Sequence, residues 1–479
     1  MRSRRLWAIV TGFVIVAGLL TATVDWRRGE RVDVLVLGGT VVTLDGSATV
    51  IPDGAVAVRE TAIVAVGPRE DLEGRFAPAR TVDARGQIVL PGLINTHGHA
   101  PMVLYRGLAD DLALMAWLNN YIFPAEAATV SPDFVRVGTR LAALEMIGSG
   151  TTTFADMYYF EEDIAEVTRE AGLRAVLGQS VIQFPVADAP TPQDALARAE
   201  QFILRWKHDP LITPAVAPHS PYTLDAGTLK AARALANAHD VPLLIHLAET
   251  REEVRIIRDA HRTTPAQYLE SLGVWSGRSL AAHAVWLDAA DMQVLQARGV
   301  GLAHNPESNM KLSSGVAAVP EWLRRGIRAG LGTDGAASNN DLDMFEAMRV
   351  AALLQKLATG DPTSLPARQA LELATRRGAE ALGMGDRIGS LEAGKQADLI
   401  TVDVSGARQT PLFDPISHLV YVARGADVRT TMVAGRVLME DRRVRTINAP
   451  EALADARAMA ERVSAAVAAK AAKGTDNGR

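Results

Sequence analysis

Residues 88–99 read IVLPGLINTHGH, an apolar run that ends in two histidines separated by one glycine. The apolar part has the β-branched and aliphatic composition of a buried strand. Side chains two apart on an extended strand share one face, so His97 and His99 point the same way, and Gly98 leaves room between them. Such a pair alone is weak support for a metal site, because most buried histidines are hydrogen-bonded core residues. Whether this histidine pair indicates a metal site depends on the candidate ligands in the rest of the chain.

Seven further apolar runs follow this stretch at the spacing of alternating strands and helices. Segments with helical periodicity, such as Ala226–Ala238 and Met344–Leu357, separate most of them. The pattern therefore predicts a (β/α)₈ TIM-type barrel whose catalytic face lies where the strands end. The eight predicted strands are Ile88–Thr96, Thr152–Asp156, Arg174–Ser180, Ile212–Pro218, Pro242–Leu247, Ser279–Ala284, Gly299–Ala303 and Ile327–Gly332.

Histidines and one aspartate cluster at the ends of these runs. The chain contains 10 histidines, and six of them fall at or just after a predicted strand. In a barrel, such positions meet at one mouth, so they favour a metal or catalytic site over chance placement. The residues concerned are His97, His99, His219, His246, His283, His304 and Asp334.

Strands with period-two alternation occur near both ends of the chain, at residues 31–43, 55–67, 397–404 and 428–439. We expect the two ends to meet in a small β-sandwich domain. The predicted organisation is an N-terminal segment over residues 1–30, a composite β-sandwich over 31–88 and 386–446, the barrel over 89–385, and a C-terminal helix and tail over 447–479.

Composition excludes several classes of protein. Hydrophobic residues make up 48% and charged residues 22% of the chain, which argues against a disordered or multi-span membrane protein. The net charge of −5 does not favour nucleic acid as a partner. Because there are 0 cysteines, a metal ion has to be held by His, Asp or Glu.

In the N-terminal segment, basic residues are followed by an apolar run, which is the order of a membrane anchor or an export signal. Arg2, Arg4 and Arg5 precede the uncharged run Leu6–Val24, which as a helix would span about 28 Å against a hydrocarbon core of about 30 Å. An uncleaved membrane anchor is the first interpretation, and it places the catalytic domain outside the cytoplasm. A cleaved or twin-arginine signal is an alternative, and a mis-assigned start would leave the protein in the cytoplasm.

Several motifs resemble the amidohydrolase superfamily. They are HGH at 97–99, HLAE at 246–249, AH at 282–283 and GTDG at 332–335. Within that superfamily, FPAE at 123–126, PHSPY at 218–222, NPESN at 305–309 and AASNN at 336–340 are similar to the methylthioadenosine/S-adenosylhomocysteine deaminases and their triazine-hydrolase relatives. The resemblance extends over about Val32–Val444.

The resemblance implies one divalent metal ion held by His97, His99, His246 and Asp334, with His283 beside the bound water. Nitrogen and carboxylate ligands suit Zn²⁺, with Fe²⁺ or Mn²⁺ as alternatives. Glu249 is then the proton shuttle, and Asp334 also accepts a proton from the water. The competing interpretation of Glu249 is a helix-start carboxylate that binds free backbone N–H groups.

The same resemblance implies the substrate contacts. Glu126 would bind two ribose hydroxyls, Trp117 would form an apolar wall for the base or a thioether, and His219 would hydrogen-bond a purine ring nitrogen. Ser338 is the fourth candidate contact. By residue type alone, Glu126 is equally a solvated loop charge and His219 a structural histidine.

These residues predict a hydrolase that deaminates an adenosine-type nucleoside, such as methylthioadenosine, adenosine or S-adenosylhomocysteine, by attack of metal-activated water at C6. One alternative is an aminohydrolase or chlorohydrolase of a triazine- or guanine-type ring. Another is a metal-dependent binding protein without catalysis. The expected partners are a small-molecule substrate, the membrane through the N-terminal segment, and further copies of the chain in a homo-oligomer.

Overall fold

The computed structural model describes residues 29–476, and most of its strands belong to two large sheets. In chain order the strands are β1 (Glu30–Val42), β2 (Val50–Arg59), β3 (Ala62–Pro68), β4 (Phe76–Asp83), β5 (Gln87–Pro91), β6 (Leu93–Gly98), β7 (Thr151–Tyr158), β8 (Arg174–Val181), β9 (Ile212–Pro218), β10 (Leu243–Leu247), β11 (Ser279–His283), β12 (Gly301–His304), β13 (Ala329–Leu331), β14 (Leu399–Asp403), β15 (Val428–Val433), β16 (Arg436–Glu440) and β17 (Arg443–Val444).

The helices connect and cover these strands. They are α1 (Arg69–Arg75), α2 (Leu114–Trp117), α3 (Phe123–Thr129), α4 (Pro132–Ser149), α5 (Glu161–Ala171), α6 (Pro192–Trp206), α7 (Ala226–His239), α8 (Arg251–His261), α9 (Pro265–Ser271), α10 (Ala289–Arg298), α11 (Pro306–Lys311), α12 (Val319–Arg324), α13 (Met344–Thr359), α14 (Ala367–Leu373), α15 (Arg376–Ala381), α16 (Pro415–Tyr421) and α17 (Ala449–Asp476).

Strands β6 to β13 form a parallel eight-stranded barrel in sequence order, as the alternation of strands and helices predicted. The first and last strands lie side by side: Thr96 Oγ1 donates to the Leu331 carbonyl at 2.8 Å, and the Asp334 N–H donates to the His97 carbonyl at 3.0 Å. Gly330 permits this approach, since a Cβ there would lie 2.4 Å from Thr96 Cγ2. The barrel is therefore nearly closed, and its carboxyl-terminal mouth gathers the strand ends.

The predicted first strand, Ile88–Thr96, is in fact two strands in different sheets. β5 pairs antiparallel with β14 and joins the second sheet, and β6 starts the barrel after Gly92. A Cβ at Gly92 would lie 2.1 Å from Thr152 Oγ1, so the chain can turn there only without a side chain. Both halves are buried and apolar, which is why periodicity did not separate them.

The second sheet joins strands from both ends of the chain in the order β17-β16-β15-β14-β5-β1-β2-β3, with β4 beside β1. β1 pairs with β4 along its first part and with β5 along its last part, so the sheet branches at β1. The two ends of the chain thus meet in one small β domain as predicted, and its description as a sandwich stays a prediction. Hydrogen bonds connect the nine strands of this second sheet into one branched sheet. The predicted strand over residues 55–67 is also two strands, β2 and β3, with Glu60 in a left-handed conformation between them.

A buried ion pair connects the barrel to the second sheet. Arg174 on β8 donates from Nε and Nη2 to the two carboxylate oxygens of Asp398 at 2.8 and 3.1 Å. Their side chains are only 1% and 3% exposed. The same carboxylate accepts from the Ala434 N–H, so the pair also fixes the turn after β15. Planar two-point pairing of this kind sets orientation as well as distance.

The C-terminal helix predicted over residues 449–473 is present as α17. It packs on α3 and α4 and buries Ala456, Met459 and Val463 in the main core, so it is more than a surface helix. Within residues 29–476, none of the helices is long and apolar enough to cross a membrane. The predicted anchor Leu6–Val24 lies outside the described residues.

Candidate metal and nucleoside site

Four histidines meet at the barrel mouth because their strands end there. His97 lies within β6 and His99 directly follows it, His246 lies on β10, and His283 ends β11. The ring centroid of His97 lies 4.9 Å from that of His99, 5.0 Å from that of His246 and 5.4 Å from that of His283. The structure therefore brings together side chains that are up to 186 positions apart in sequence, between His97 and His283.

Backbone carbonyls fix the orientation of two of these rings. The Nδ1 of His99 lies 2.7 Å from the Met157 carbonyl, and the Nδ1 of His246 lies 2.8 Å from the His219 carbonyl. A carbonyl only accepts, so each Nδ1 donates, and Nε2 is the nitrogen left to face the cluster. This is the arrangement by which proteins prepare imidazole for a metal ion.

The Asp334 carboxylate completes the cluster. Its Oδ1 lies 3.4 Å from His97 Nε2 and 3.2 Å from His99 Nε2, and its Oδ2 accepts hydrogen bonds from Ser308 at 2.6 Å and Ser338 at 3.0 Å. Burial alone would raise the pKa of Asp334, but the two histidines hold the pKa well below its usual value. The carboxyl is therefore a charged acceptor with one oxygen directed at the histidines.

The donor set fits a divalent metal ion. Possible ligand atoms of His97, His246 and His283 lie within 4.8 Å of one another, and so do those of His97, His99 and Asp334. His97 Nε2 is buried without a hydrogen-bond partner among the described residues. Imidazole nitrogen and carboxylate oxygen suit zinc in particular. His97 belongs to both groups, and the first group also includes His283, which was predicted to lie beside the bound water.

Glu249 faces the same point. Its Oε2 lies 3.8 Å from His283 Nε2, and the Ser314 hydroxyl lies 3.4 Å from its Oε1. Burial raises the pKa of Glu249, which suits a group that takes and returns a proton. The His283 ring is held in turn by Asn309, whose Oδ1 lies 2.9 Å from Nδ1.

The start of α8 explains why Glu249 points into the cavity. Thr250 is the N-cap, its hydroxyl accepting from the Glu253 N–H at 3.2 Å, so Glu249 stays outside the helix. The carboxylate that binds the free backbone N–H groups is Glu253, at 2.8 Å from the Ala248 nitrogen and 2.9 Å from the Glu249 nitrogen. The competing interpretation of Glu249 as a helix-start carboxylate is therefore wrong, since Glu253 has that position.

A cavity extends from the metal cluster to the lid formed by α2, α3 and the π-helical turn Leu118–Ile122. Its lining divides into a polar end at the barrel mouth and an apolar end under the lid. The lining residues are His99, Met102, Leu114, Trp117, Leu118, Ile122, Phe123, Glu126, Met157, Tyr158, Tyr159, Ser180, His219, Tyr222, His246, Glu249, His283, Leu312 and Asp334.

Glu126 lies at the lid end of this cavity and is only 7% exposed, so it is not a solvated loop charge. The Tyr158 hydroxyl donates to its Oε1 at 2.7 Å. Burial raises the pKa of Glu126 to about 7, and the Tyr158 hydrogen bond opposes this rise. Trp117 lines the same end, and its Nε1 is buried with no partner in the described residues.

His219 lines the cavity beside His246, with ring centroids 4.8 Å apart. Its Nδ1 lies 3.1 Å from the Thr223 hydroxyl, and burial together with the neighbouring histidines lowers its pKa to about 3, so the ring is neutral. Ser338 is absent from the cavity lining: it lies behind Asp334, where its hydroxyl supports the carboxylate. The predicted substrate contact at Ser338 is thus replaced by a supporting role.

Sequence reasoning missed four polar residues that hold the site together: Tyr158, Glu253, Ser308 and Asn309. Ser308 and Asn309 belong to the NPESN motif, so a signal existed without an assigned role. Tyr158 ends β7, a position at the catalytic face of a barrel. Its partner Glu126 is 32 positions away, a separation that periodicity does not address.

Comparison with known proteins agrees with this geometry. Residues 88–438 match the sequence profile described as the amidohydrolase family. A 5-methylthioadenosine/S-adenosylhomocysteine deaminase of Syntrophobacter fumaroxidans is 49% identical over 434 residues, which are 91% of this chain and 99% of that protein.

Comparison with solved structures supports the same family. An adenosine deaminase from Xanthomonas campestris with bound zinc has 42% identity and a TM-score of 0.90, covering 91% of this chain and 100% of that one. Atrazine chlorohydrolase from Arthrobacter aurescens, complexed with zinc, has 27% identity and a TM-score of 0.83 over 89% of this chain and 100% of that one. With the family profile matched over most of its length, this chain belongs to the amidohydrolase family.

Proposed function

We propose that this protein is a metal-dependent hydrolase that deaminates an adenosine-type nucleoside and releases ammonia. The observation that carries the proposal is a single cavity with a metal-ligand cluster and Glu249 at one end and the Tyr158-bound Glu126 at the other. The first end suits hydrolysis at a ring carbon and the second suits a sugar. The relatives named as methylthioadenosine/S-adenosylhomocysteine deaminase and adenosine deaminase support the same activity.

His97, His99, His246 and Asp334 are the residues that would hold the ion. Zn²⁺ is the first candidate, because the ligands are nitrogen and oxygen and the Xanthomonas structure contains zinc. Iron or manganese is the alternative. When bound, such an ion supplies water activation, since it lowers the pKa of water from 15.7 to about 7.

Deamination at C6 consumes one water and releases one ammonia, so protons have to reach the ring nitrogen N1 and the departing amine. Glu249 is buried with a raised pKa, which suits it to take one proton of the water and pass it to N1, and then to take the second proton from the hydroxyl on C6 and pass it to the departing amine. His283, 3.8 Å from Glu249, stabilises the charge that develops near the attacking oxygen. Asp334 is the second proton acceptor of the site.

The lid end of the cavity holds the nucleoside. Glu126 accepts hydrogen bonds from the two ribose hydroxyls while Tyr158 keeps its carboxylate in place. Trp117 forms an apolar wall, and the neutral His219 hydrogen-bonds a ring nitrogen of the purine. These contacts orient C6 toward the metal end.

Two observations favour this function over the alternatives. A bare triazine or guanine ring has no hydroxyl pair for Glu126, and burying an unused carboxylate costs free energy. A binding protein without catalysis has no use for Glu249, a carboxylate with a raised pKa beside the metal ligands. A nucleoside hydrolase uses both.

The direct test measures ammonia release by the metal-replete full-length protein from adenosine, methylthioadenosine, guanine and a triazine that carries a primary amino group. We expect release from the two nucleosides, and none after removal of the metal with a chelator. Release from guanine or the triazine alone would instead assign the bare-ring activity. Metal binding without release from any compound would indicate the non-catalytic protein.

The location of the protein, its membrane contact and its oligomeric state stay predictions. If Leu6–Val24 is an uncleaved anchor, full-length protein should fractionate with membranes, and a variant without Met1–Asp25 should be soluble and active. Full-length protein found uncleaved in the soluble fraction would contradict the anchor. Light scattering of the shortened variant measures whether it is a homo-oligomer.

A further inference from the structure

The lid leaves the side chains of the cavity almost inaccessible to solvent. Leu114 and Trp117 on the lid, and His246 and Glu249 at the metal end, are each at most 7% exposed. A nucleoside therefore reaches the metal end only if a covering segment moves. The contacts of the lid indicate which part of it can do so.

The second half of the lid is fixed by packing. Helix α3 packs on the C-terminal helix α17, which buries Met459 and Val463 in the main core. The Thr129 hydroxyl at the end of α3 also lies 2.7 Å from the hydroxyl of Tyr105, which precedes the lid. Close packing of this kind resists displacement. We therefore expect the movement in the first half of the lid, residues 106–117.

The first half of the lid begins with an irregular segment, residues 106–113, that leads into α2. This segment contains no helix or strand, so its position depends on side-chain contacts with neighbouring elements. Two charged contacts are present. Arg106 donates to Glu145 on α4, and Lys311 donates to Asp110. The second contact joins the segment to the opposite side of the barrel mouth.

Lys311 ends α11 and connects three loops of the barrel mouth. An ammonium group has three N–H donors, and three acceptors surround this one. They are Asp110 Oδ1 at 2.5 Å, the Ala337 carbonyl at 3.3 Å and the side-chain oxygen of Asn340. The hydrogen bond from Lys311 lowers the pKa of Asp110 below its usual value, so the lid contact is an ion pair at neutral pH.

The same short helix supports the metal end of the cavity. Ser308 on α11 donates to Asp334 at 2.6 Å, and Asn309 holds the ring of His283 at 2.9 Å. Lys311 follows Asn309 by two residues. A lid that is held by Lys311 is thus closed directly onto the helix that orients the groups around the metal.

We propose that Lys311 and Asp110 are positioning residues whose ion pair holds residues 106–117 closed over the nucleoside, and that the pair separates when the lid opens for substrate entry and product release. The proposal rests on the function proposed above for the identity of the molecule that enters. Asp110 is the partner that leaves, because its side chain is 41% exposed and lies in the irregular segment, whereas the Lys311 side chain is 19% exposed and keeps its acceptors in the loop after β13. Opening breaks one partly exposed ion pair, which is weak enough to separate in every turnover.

The first test uses steady-state kinetics of the metal-replete full-length protein with methylthioadenosine. Asp110→Asn should raise KM about threefold, because a less populated closed form weakens apparent binding, and should leave kcat unchanged, because the pair does not touch the reacting atoms. Lys311→Met removes all three hydrogen bonds and should raise KM about tenfold. Asp111→Asn makes the same charge change at the exposed neighbour of Asp110 and is the matched control, with KM unchanged.

The second test measures the lid itself and needs no substrate. Trypsin cuts after arginine, and Arg106 lies in the irregular segment. Cleavage of a segment that opens transiently follows the equilibrium population of its open form. The peptide that ends at Arg106 should therefore appear faster in Asp110→Asn and in Lys311→Met, by about the factors expected for KM, and at the wild-type rate in Asp111→Asn.

The outcomes separate this proposal from the deaminase assignment. Unchanged KM and unchanged cleavage at Arg106 in both Asp110→Asn and Lys311→Met would overturn the role of the ion pair. A loss of kcat or of zinc affinity as large as the rise in KM would also overturn it, because the variants would then act by disturbing α11. Faster cleavage in a protein that releases no ammonia would support the ion pair as the closing contact and overturn the deaminase.

Discussion

Removing the Ser308 hydroxyl should weaken metal binding, because this hydroxyl holds the Asp334 oxygen that faces away from the histidines. Ser308 donates to Asp334 Oδ2 at 2.6 Å and Ser338 donates to the same oxygen at 3.0 Å. Oδ1, which lies 3.2 Å from His99 Nε2, is thereby left for the ion. In Ser308→Ala the carboxylate keeps the Ser338 hydrogen bond to Oδ2 and the hydrogen bond from the Gly335 N–H to Oδ1 at 2.8 Å, so its orientation is less constrained.

The size of the effect follows from the hydrogen bond that is lost. A hydrogen bond to a charged group contributes about 1.5–3 kcal/mol, which corresponds to about 10–100-fold in affinity. Substitutions of residues that hydrogen-bond to metal ligands change metal affinity or activity by the same range. Since Ser338 still holds Oδ2, we expect Ser308→Ala to lose about tenfold in zinc affinity. The double variant Ser308→Ala/Ser338→Ala should lose more than either single variant.

The assay is competition for Zn²⁺ between the metal-free protein and a chromophoric chelator of known affinity. Ser47→Ala is the matched control, because Ser47 is exposed and lies in the β1–β2 loop of the second sheet. Thermal unfolding of the metal-free proteins checks that the fold is unchanged. Wild-type zinc affinity in the double variant would refute the conclusion that these hydroxyls orient Asp334.

Three further substitutions test other parts of the structure. Glu249→Gln should keep its metal, measured by elemental analysis, and lose at least about 100-fold in kcat because the proton transfer is removed; loss of the metal would contradict that role. Tyr158→Phe should raise KM for ribonucleosides about tenfold with little change in kcat. The Tyr158 hydrogen bond opposes the burial that raises the pKa of Glu126 to about 7, so its removal should raise this pKa further, and as pH falls KM should worsen at a higher pH in the variant than in the wild type; a pH-independent KM would argue against this. Asp398→Ala leaves Arg174 buried without its ion-pair partner and should lower the free energy of unfolding by about 3–5 kcal/mol. Urea titration measures this change, and an unchanged unfolding midpoint would show that the ion pair does not stabilise the fold.

The sequence alone was sufficient to predict the barrel and to bring the candidate metal ligands to one mouth of it. Both depend on local patterns: a strand of four to eight residues is recognisable from its own side chains, and a parallel barrel places every strand end at one mouth. His97, His246 and Asp334 could therefore be assigned to one site without any knowledge of distances. Glu249 followed from its position three residues after His246.

The tertiary structure alone decided which strands pair and where side chains point. The run 87–98 is apolar throughout, and only the neighbours β14 and β7 reveal that it divides at Gly92 between two sheets. Ser338 directs its hydroxyl to Asp334, away from the cavity, and Tyr158 reaches Glu126 across 32 positions. Phe123, which begins α3, packs against Phe184 in the loop after β8, with ring centroids 5.2 Å apart. Such contacts join residues far apart in the chain, and their geometry depends on side-chain packing that one-dimensional periodicity does not contain.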